Sequence, residues 1–178
     1  RVAGNDPERL EAQLSRANQS VDKAKGIISR LLFYSREGAR HGEHIDLNQV
    51  IQDTVEFLRN EFCQSKIDLR VILQPLPHLG GNAHDLQQCL VNLLMNAQAA
   101  AAGGVQSCYA KETIRILVSD DGVGIPEDVQ ARIFEPVFTT RPVGKGVGLG
   151  LCVARRIAET HGGRLFLEHS TTSGSRFV

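Results

Sequence analysis

The sequence has no long uninterrupted apolar run. Its longest, "LVNLLMNAQAA" at residues 90–100, is broken by Asn92 and Asn96, and those amides disqualify it as a membrane span. No direct membrane contact is expected of this chain. It also lacks an excess of either charge, since 20 Lys and Arg offset 20 Asp and Glu in 178 residues. No basic stripe is interleaved with aromatics, so nucleic acid is disfavoured as the main partner and any anion binding must be local. The cysteines, Cys63, Cys89, Cys108 and Cys152, are scattered without metal-ligand spacing, which reads as a reducing, cytoplasmic compartment. No Met opens the chain at Arg1; a piece of a longer protein is expected, and a membrane anchor elsewhere in that protein stays open.

What is present falls into two parts. Asp6-Pro7-Glu8 reads as a helix start, with an N-cap acid and proline at the first helical position. Leu10, Leu14, Ala17, Val21, Ala24, Ile28 and Leu31 then follow alternating steps of four and three, a heptad seam flanked by charged and amide side chains. A seam this narrow suits a helical bundle, and its partner helix is not in the sequence. "REGARHGEH", residues 36–44, has the glycines and charges of a linker, so a boundary near residue 42 is expected.

Beyond it, "DLNQVIQDTVEFLRNEF" reads as an amphipathic helix opened by Asp46, and "IDLRVIL" as a strand. The helix of Asn92 and Asn96 follows, with Asn82 or Asp85 near its start and Gly103-Gly104 ending it. "VQSCYA" and "TIRILVS" read as adjacent strands joined tightly, "PEDVQARIF" as a short helix, "LCVARRIAETH" as a helix closed by Gly162, and "RLFLEHS" and "SRFV" as strands. Such mixing predicts an α+β fold, a two-layer sandwich in which helices cover one face of a mixed sheet.

Three segments carry chemistry. Asn92 and Asn96 are four apart and share one helical face, with Gln88 one turn earlier, while Leu90, Leu93, Leu94 and Ala97 take the core side. Neutral amide oxygens in such a pair suit a magnesium ion that also holds nucleotide phosphates. In "DDGVGIP", Asp120 ends a strand and can accept a hydrogen bond from an exocyclic amine, and Gly122 and Gly124 let backbone approach a flat ring. "TTRPVGKGVGLGL" sets Gly144, Gly146, Gly148 and Gly150 at alternate positions just before a helix, a sensible phosphate cradle to which Arg141 and Lys145 add positive charge. The spacing is not that of a Walker loop.

Jointly these motifs resemble the ATP-binding domain shared by sensor histidine kinases, DNA gyrase, Hsp90 and MutL, the Bergerat-type fold. "LVNLLMNAQAA" resembles the N box, "DDGVGIP" the first glycine box, "IFEPVFTT" the F box and "GKGVGLGL" the second glycine box, in family order over residues 46–178. "FEPVFTTRPVGKGVGLGL" and "HGGRL" are similar to two-component sensor histidine kinases of the short-lid branch. "RANQSVDKAKGIISRLLFYSRE" is similar to that family's second dimerisation helix. The resemblance implies a partial dimerisation domain over residues 1–42 and a catalytic ATP-binding domain over 43–178. It implies ATP and Mg²⁺ as ligands, a homodimer through a four-helix bundle, and a response-regulator receiver domain as partner.

Carried over by position, Asn96 resembles the Mg²⁺ ligand and Asn92 its phosphate-facing neighbour. Asp120 resembles the adenine-reading carboxylate, with Gly122 and Gly124 giving the ring access. Gly146, Gly148 and Gly150 resemble the lid backbone, Phe134 and Phe138 the F-box aromatics, and Ser175 a hydroxyl near the adenine.

Two departures matter. None of His41, His44, His78, His84, His161 and His169 stands in the family's phosphoacceptor motif, so this chain is expected to bind nucleotide without phosphorylating itself. And where the hydrolytic members carry an acid one turn before the Mg²⁺-binding asparagine, this chain has Asn92, which cannot act as a general base on water. Phosphoryl transfer to histidine is therefore the expected reaction. The alternatives are a catalytically silent nucleotide-binding module and a hydrolytic ATPase of the same superfamily.

Overall fold

A computed structural model describes residues 43–98, 103–110, 112–141 and 146–178, together with residue 13. The expected bundle helix and most of the linker lie outside the described residues.

Asp46 opens the first described helix, α1 (Leu47–Gln64), by accepting from the backbone N–H groups of Asn48 and Gln49 at 3.0 and 3.2 Å. Its apolar stripe, Leu47, Val50, Ile51, Leu58 and Phe62, is buried. Thr54 lies in the same stripe without penalty because its hydroxyl donates to the Val50 carbonyl at 2.6 Å. Helix α2 (Ala83–Gln98) packs against α1 and against α4 (Gly150–Thr160), and its own core side touches the sheet. Cys89 of α2 donates its thiol to the Ala154 carbonyl of α4, and burial pushes that thiol up to about 12.

The main sheet has the order β2-β4-β5-β7-β6, from β2 (Leu69–Ile72), β4 (Gly103–Ala110), β5 (Thr113–Asp120), β7 (Gly174–Phe177) and β6 (Leu167–Thr171). β2 and β4 pair parallel, with α2 in the crossover between them; the other pairs are antiparallel. Val105, Val118 and Phe177 are buried; Val118 faces both of the others in register. This is the expected mixed sheet with helices.

Several local expectations need correction. Gly103 and Gly104 do not end the helix; they begin β4. A Cβ at Gly103 would lie 3.4 Å from the Ala97 Cβ, so the absence of a side chain lets the last turn of α2 come down on the sheet. "PEDVQARIF" forms only one helical turn, α3 (Glu127–Gln130), before continuing as turns. "IDLRVIL" contributes a four-residue edge strand that is mostly exposed. The end of the supposed linker belongs to β1 (Glu43–Ile45), which pairs antiparallel with β3 (Leu79–Gly81) in a small separate sheet.

Candidate nucleotide-binding site

The site begins with the cap of α2. The Asn82 side chain accepts from the N–H groups of His84 and Asp85 at 2.9 and 3.3 Å, and this fixes the helix start. Asn92 is 5% exposed. Its Oδ1 accepts from Gln88 Nε2 at 3.4 Å, while its Nδ2 is buried with no partner among the described residues. An orphaned buried donor costs about 1–3 kcal/mol. Such a group is expected where a ligand supplies the missing acceptor.

The neighbouring element supplies more donors. α4 starts at Gly150, whose Cβ position lies 3.8 Å from Asn92 Oδ1, and among the described residues no side chain caps its N-terminus at Leu149. Uncapped N–H groups at the positive end of a helix form an anion site. Asn92 therefore lies beside the α4 N-terminus, its oxygen the nearer atom and its Nδ2 without a partner among the described residues, and an unpartnered amide donor next to helix N–H groups is the chemistry of a phosphate cradle.

One turn further along α2, Asn96 Oδ1 accepts from Arg141 Nη2 at 2.8 Å, and the same nitrogen lies 3.5 Å from the Asn96 carbonyl. Arg141 is half-buried, and burial lowers its pKa from the ordinary value. Asn96 thus presents its oxygen to a cation, while the Asn92 nitrogen has no acceptor among the described residues.

Asp120 ends β5, two residues beyond the buried Val118 and therefore on the same sheet face. It pairs with Gly103, the residue beneath Ala97, so strand end and asparagine helix meet on that face. Burial raises the Asp120 pKa above the usual carboxylate value, opposed by backbone N–H groups of Gly122 and Ser175; Asp121 adds a smaller upward push. The Gly122 N–H reaches Asp120 Oδ1 at 3.0 Å.

Gly124 has φ +73° and a Cβ there would collide with the Thr171 carbonyl, so its bareness seats the loop on β6. Ser175 is buried opposite Asp120 in β7. Its hydroxyl lies 3.0 Å from the Ser170 hydroxyl, which accepts from the Ile125 N–H at 2.7 Å. Sequence reasoning missed Ser170, which anchors the glycine turn. It also missed Gly174 (φ +127°), where a Cβ would overlap the Asp120 carbonyl.

The F box holds the second glycine box in place. Phe134 meets Phe177 edge-on at 6.3 Å, with the Arg155 guanidinium 5.3 Å from its ring, and Arg132 stacks 4.5 Å over Phe138. A Cβ at Gly148 (φ +71°) would strike the Phe138 carbonyl, and one at Gly146 would press on Arg141 and Thr139 at 3.3–3.4 Å. Lys145 lies outside the described residues. An open hollow of about 610 Å³ along the C-terminal half of α4, lined by Arg155, Glu159, Arg164 and Phe166, includes none of the asparagines, Asp120 or the second glycine box, and its Arg155 is already paired with Glu159.

A strand-end carboxylate, an orphaned amide and an open helix N-terminus, all set on one face of a mixed sheet, define a nucleotide-binding domain. Residues 81–178 match the family described as histidine kinase-, DNA gyrase B- and HSP90-like ATPase. The sensor histidine kinase ZraS of Escherichia coli K12 is 32% identical over 181 residues, which cover 99% of this chain and 38% of ZraS. Among solved structures, the catalytic domain of histidine kinase ThkA is 27% identical with a TM-score of 0.67, over 76% of this chain and 91% of that one. Full-length ShkA in complex with AMPPNP is 26% identical with a TM-score of 0.77, over 94% of this chain and 37% of ShkA. The chain belongs to this ATPase family, as an ATP-binding domain of the sensor histidine kinase type. It spans well under half the length of ZraS.

Proposed function

We propose that residues 43–178 are the catalytic portion of a histidine kinase that passes the γ-phosphoryl group of ATP to a histidine on a dimerisation helix, for relay to a response-regulator aspartate. Residues 1–42 would supply the second dimerisation helix and linker of a homodimer. The observation that carries this reading is the orphaned Asn92 amide beside the uncapped α4 N-terminus. Both are donors awaiting phosphate oxygens.

In this reading Asp120 accepts from the adenine amine, and Gly122 brings backbone against the ring on a loop that Gly124 seats against β6. Asn92 Nδ2 and the N–H groups around Gly148 and Gly150 hold phosphates. Asn96 Oδ1, a neutral oxygen that already faces a guanidinium, fits a hard cation. A bound Mg²⁺ would supply charge neutralisation on the phosphate chain.

The acceptor imidazole nitrogen forms a bond to the γ-phosphorus as the bond to the ADP oxygen breaks, and ADP leaves. No proton need be taken from water. Asn92 could not take one, and its oxygen is already occupied by Gln88. What this chain contributes is orientation and fixed donors around the departing charge.

Calorimetric titration of AMPPNP with Mg²⁺ tests the reading. One site should appear, be lost in Asp120→Asn, and weaken in Asn96→Ala chiefly when the metal is present. No binding by the folded chain would sink it, and a folded scaffold without nucleotide chemistry would take its place.

A further inference from the structure

Arg141 stands where the proposed function puts a metal ion. Asn96 Oδ1 cannot accept the guanidinium at 2.8 Å and ligate a cation from the same direction, because two positive charges would share one oxygen. We infer that Arg141 and Mg²⁺ are alternative occupants of a single cation position on Asn96, so that the arginine is a built-in counter-charge released when the metal arrives.

Three observations converge on this. The contact joins residues 45 apart in sequence, so it is no accident of local chain geometry. Arg141 is half-buried, and a desolvated guanidinium needs a partner; the Asn96 side chain and carbonyl both lie within reach of the same nitrogen. Gly146 lies so close that a Cβ there would sit 3.3 Å from Arg141 Cδ, so the second glycine box leaves room for the arginine stem. The inference rests on the nucleotide reading and adds a specific behaviour to it. With metal absent, Arg141 neutralises incoming phosphate charge from its place on Asn96. With metal present, it must leave that oxygen, and part of the metal's binding energy is spent on displacing it.

The measurable quantity is the metal effect, the ratio of AMPPNP dissociation constants in EDTA and in Mg²⁺, obtained by calorimetry for four proteins: wild type, Arg141→Gln, Asn96→Ala and the double variant. Removing the arginine takes away the metal-free counter-charge and the competitor together, so Arg141→Gln should raise the metal effect about tenfold, the scale of one charge-assisted hydrogen bond. In the Asn96→Ala background the same substitution should leave the ratio unchanged, since both occupants have lost their oxygen. An unchanged ratio in Arg141→Gln, whether both affinities fall together or neither moves, overturns the shared position. So does an effect of Arg141→Gln that survives in Asn96→Ala. Wild-type binding in any of these cases keeps the nucleotide reading intact, whereas no binding by the wild type overturns that reading and this inference with it.

Discussion

At Asp120 the requirements of folding and binding oppose each other. Its folded-state pKa is raised by burial, so folding favours the protonated carboxyl, and ionisation costs stability. The sign follows: relative stability is highest below the ordinary carboxylate pKa and declines as pH rises through the interval up to the raised value. Accepting from an amine requires the opposite, ionised form, so nucleotide affinity should fall as pH drops through that same interval. Asp120→Asn should therefore melt at or above the wild-type temperature without ligand, while losing the stabilisation that nucleotide gives; thermal scans with and without AMPPNP across that pH range check both. Gly174 makes a simpler demand. With φ +127° and the Asp120 carbonyl in the space of a Cβ, Gly174→Ala should cost about 2–3 kcal/mol in urea unfolding. Val137 is a β-branched residue at φ +65° with its side chain 67% exposed, so Val137→Gly should raise stability by about 1 kcal/mol in the same assay.

Among the elements, α2 and α4 are joined at the end remote from Asn92 by His161. Its Nε2 accepts from the Asn82 N–H at 3.1 Å and its Nδ1 lies 2.9 Å from the Ile157 carbonyl, which sets the tautomer with the proton on Nδ1. A Cβ on Gly81 would lie 2.5 Å from the His161 ring, so the bare strand β3 is what admits the imidazole. Gly81→Ala should destabilise by about 2 kcal/mol, and much of that loss should disappear in a His161→Ala background, a non-additivity that urea titration of the four proteins would resolve.

This junction also marks the limit of what sequence reasoning reached. The α2 stripe, the Asp46 cap and the glycines before α4 follow from spacing within one segment, so their periodicity made them legible. The β1–β3 pair, Ser170 against Ile125, Gly174 against Asp120 and the Arg141–Asn96 contact join segments 34 to 54 residues apart that carry no periodic signal. His161 stands beside the glycine that closes α4, and its tie to Asn82, 79 residues away, leaves no mark in the sequence. The glycine positions were legible, but not the reason for each: Gly124 and Gly148 make room for the protein's own backbone.

For the whole molecule, the proposed transfer to histidine makes the context of its histidines the test. With none in an acceptor motif, incubation of this chain with ATP and Mg²⁺ should leave no acid-labile phosphate on it by intact-mass measurement, whereas an added dimerisation hairpin carrying such a motif should be labelled.

The sheet order has a consequence for synthesis. β7, late in the chain, lies inside the sheet between β5 and β6, and it supplies the N–H of Ser175 that helps hold Asp120. A ribosome that has translated the N box, both glycine boxes and the F box has therefore made every recognisable motif but not the binding site. Until residues 174–177 emerge and slot between their neighbours, the edge of β5 is open and the Asp120 carboxylate is without one of its supports. ATP around the nascent chain can therefore assist folding of this domain only once β7 has emerged, whatever has been translated before it.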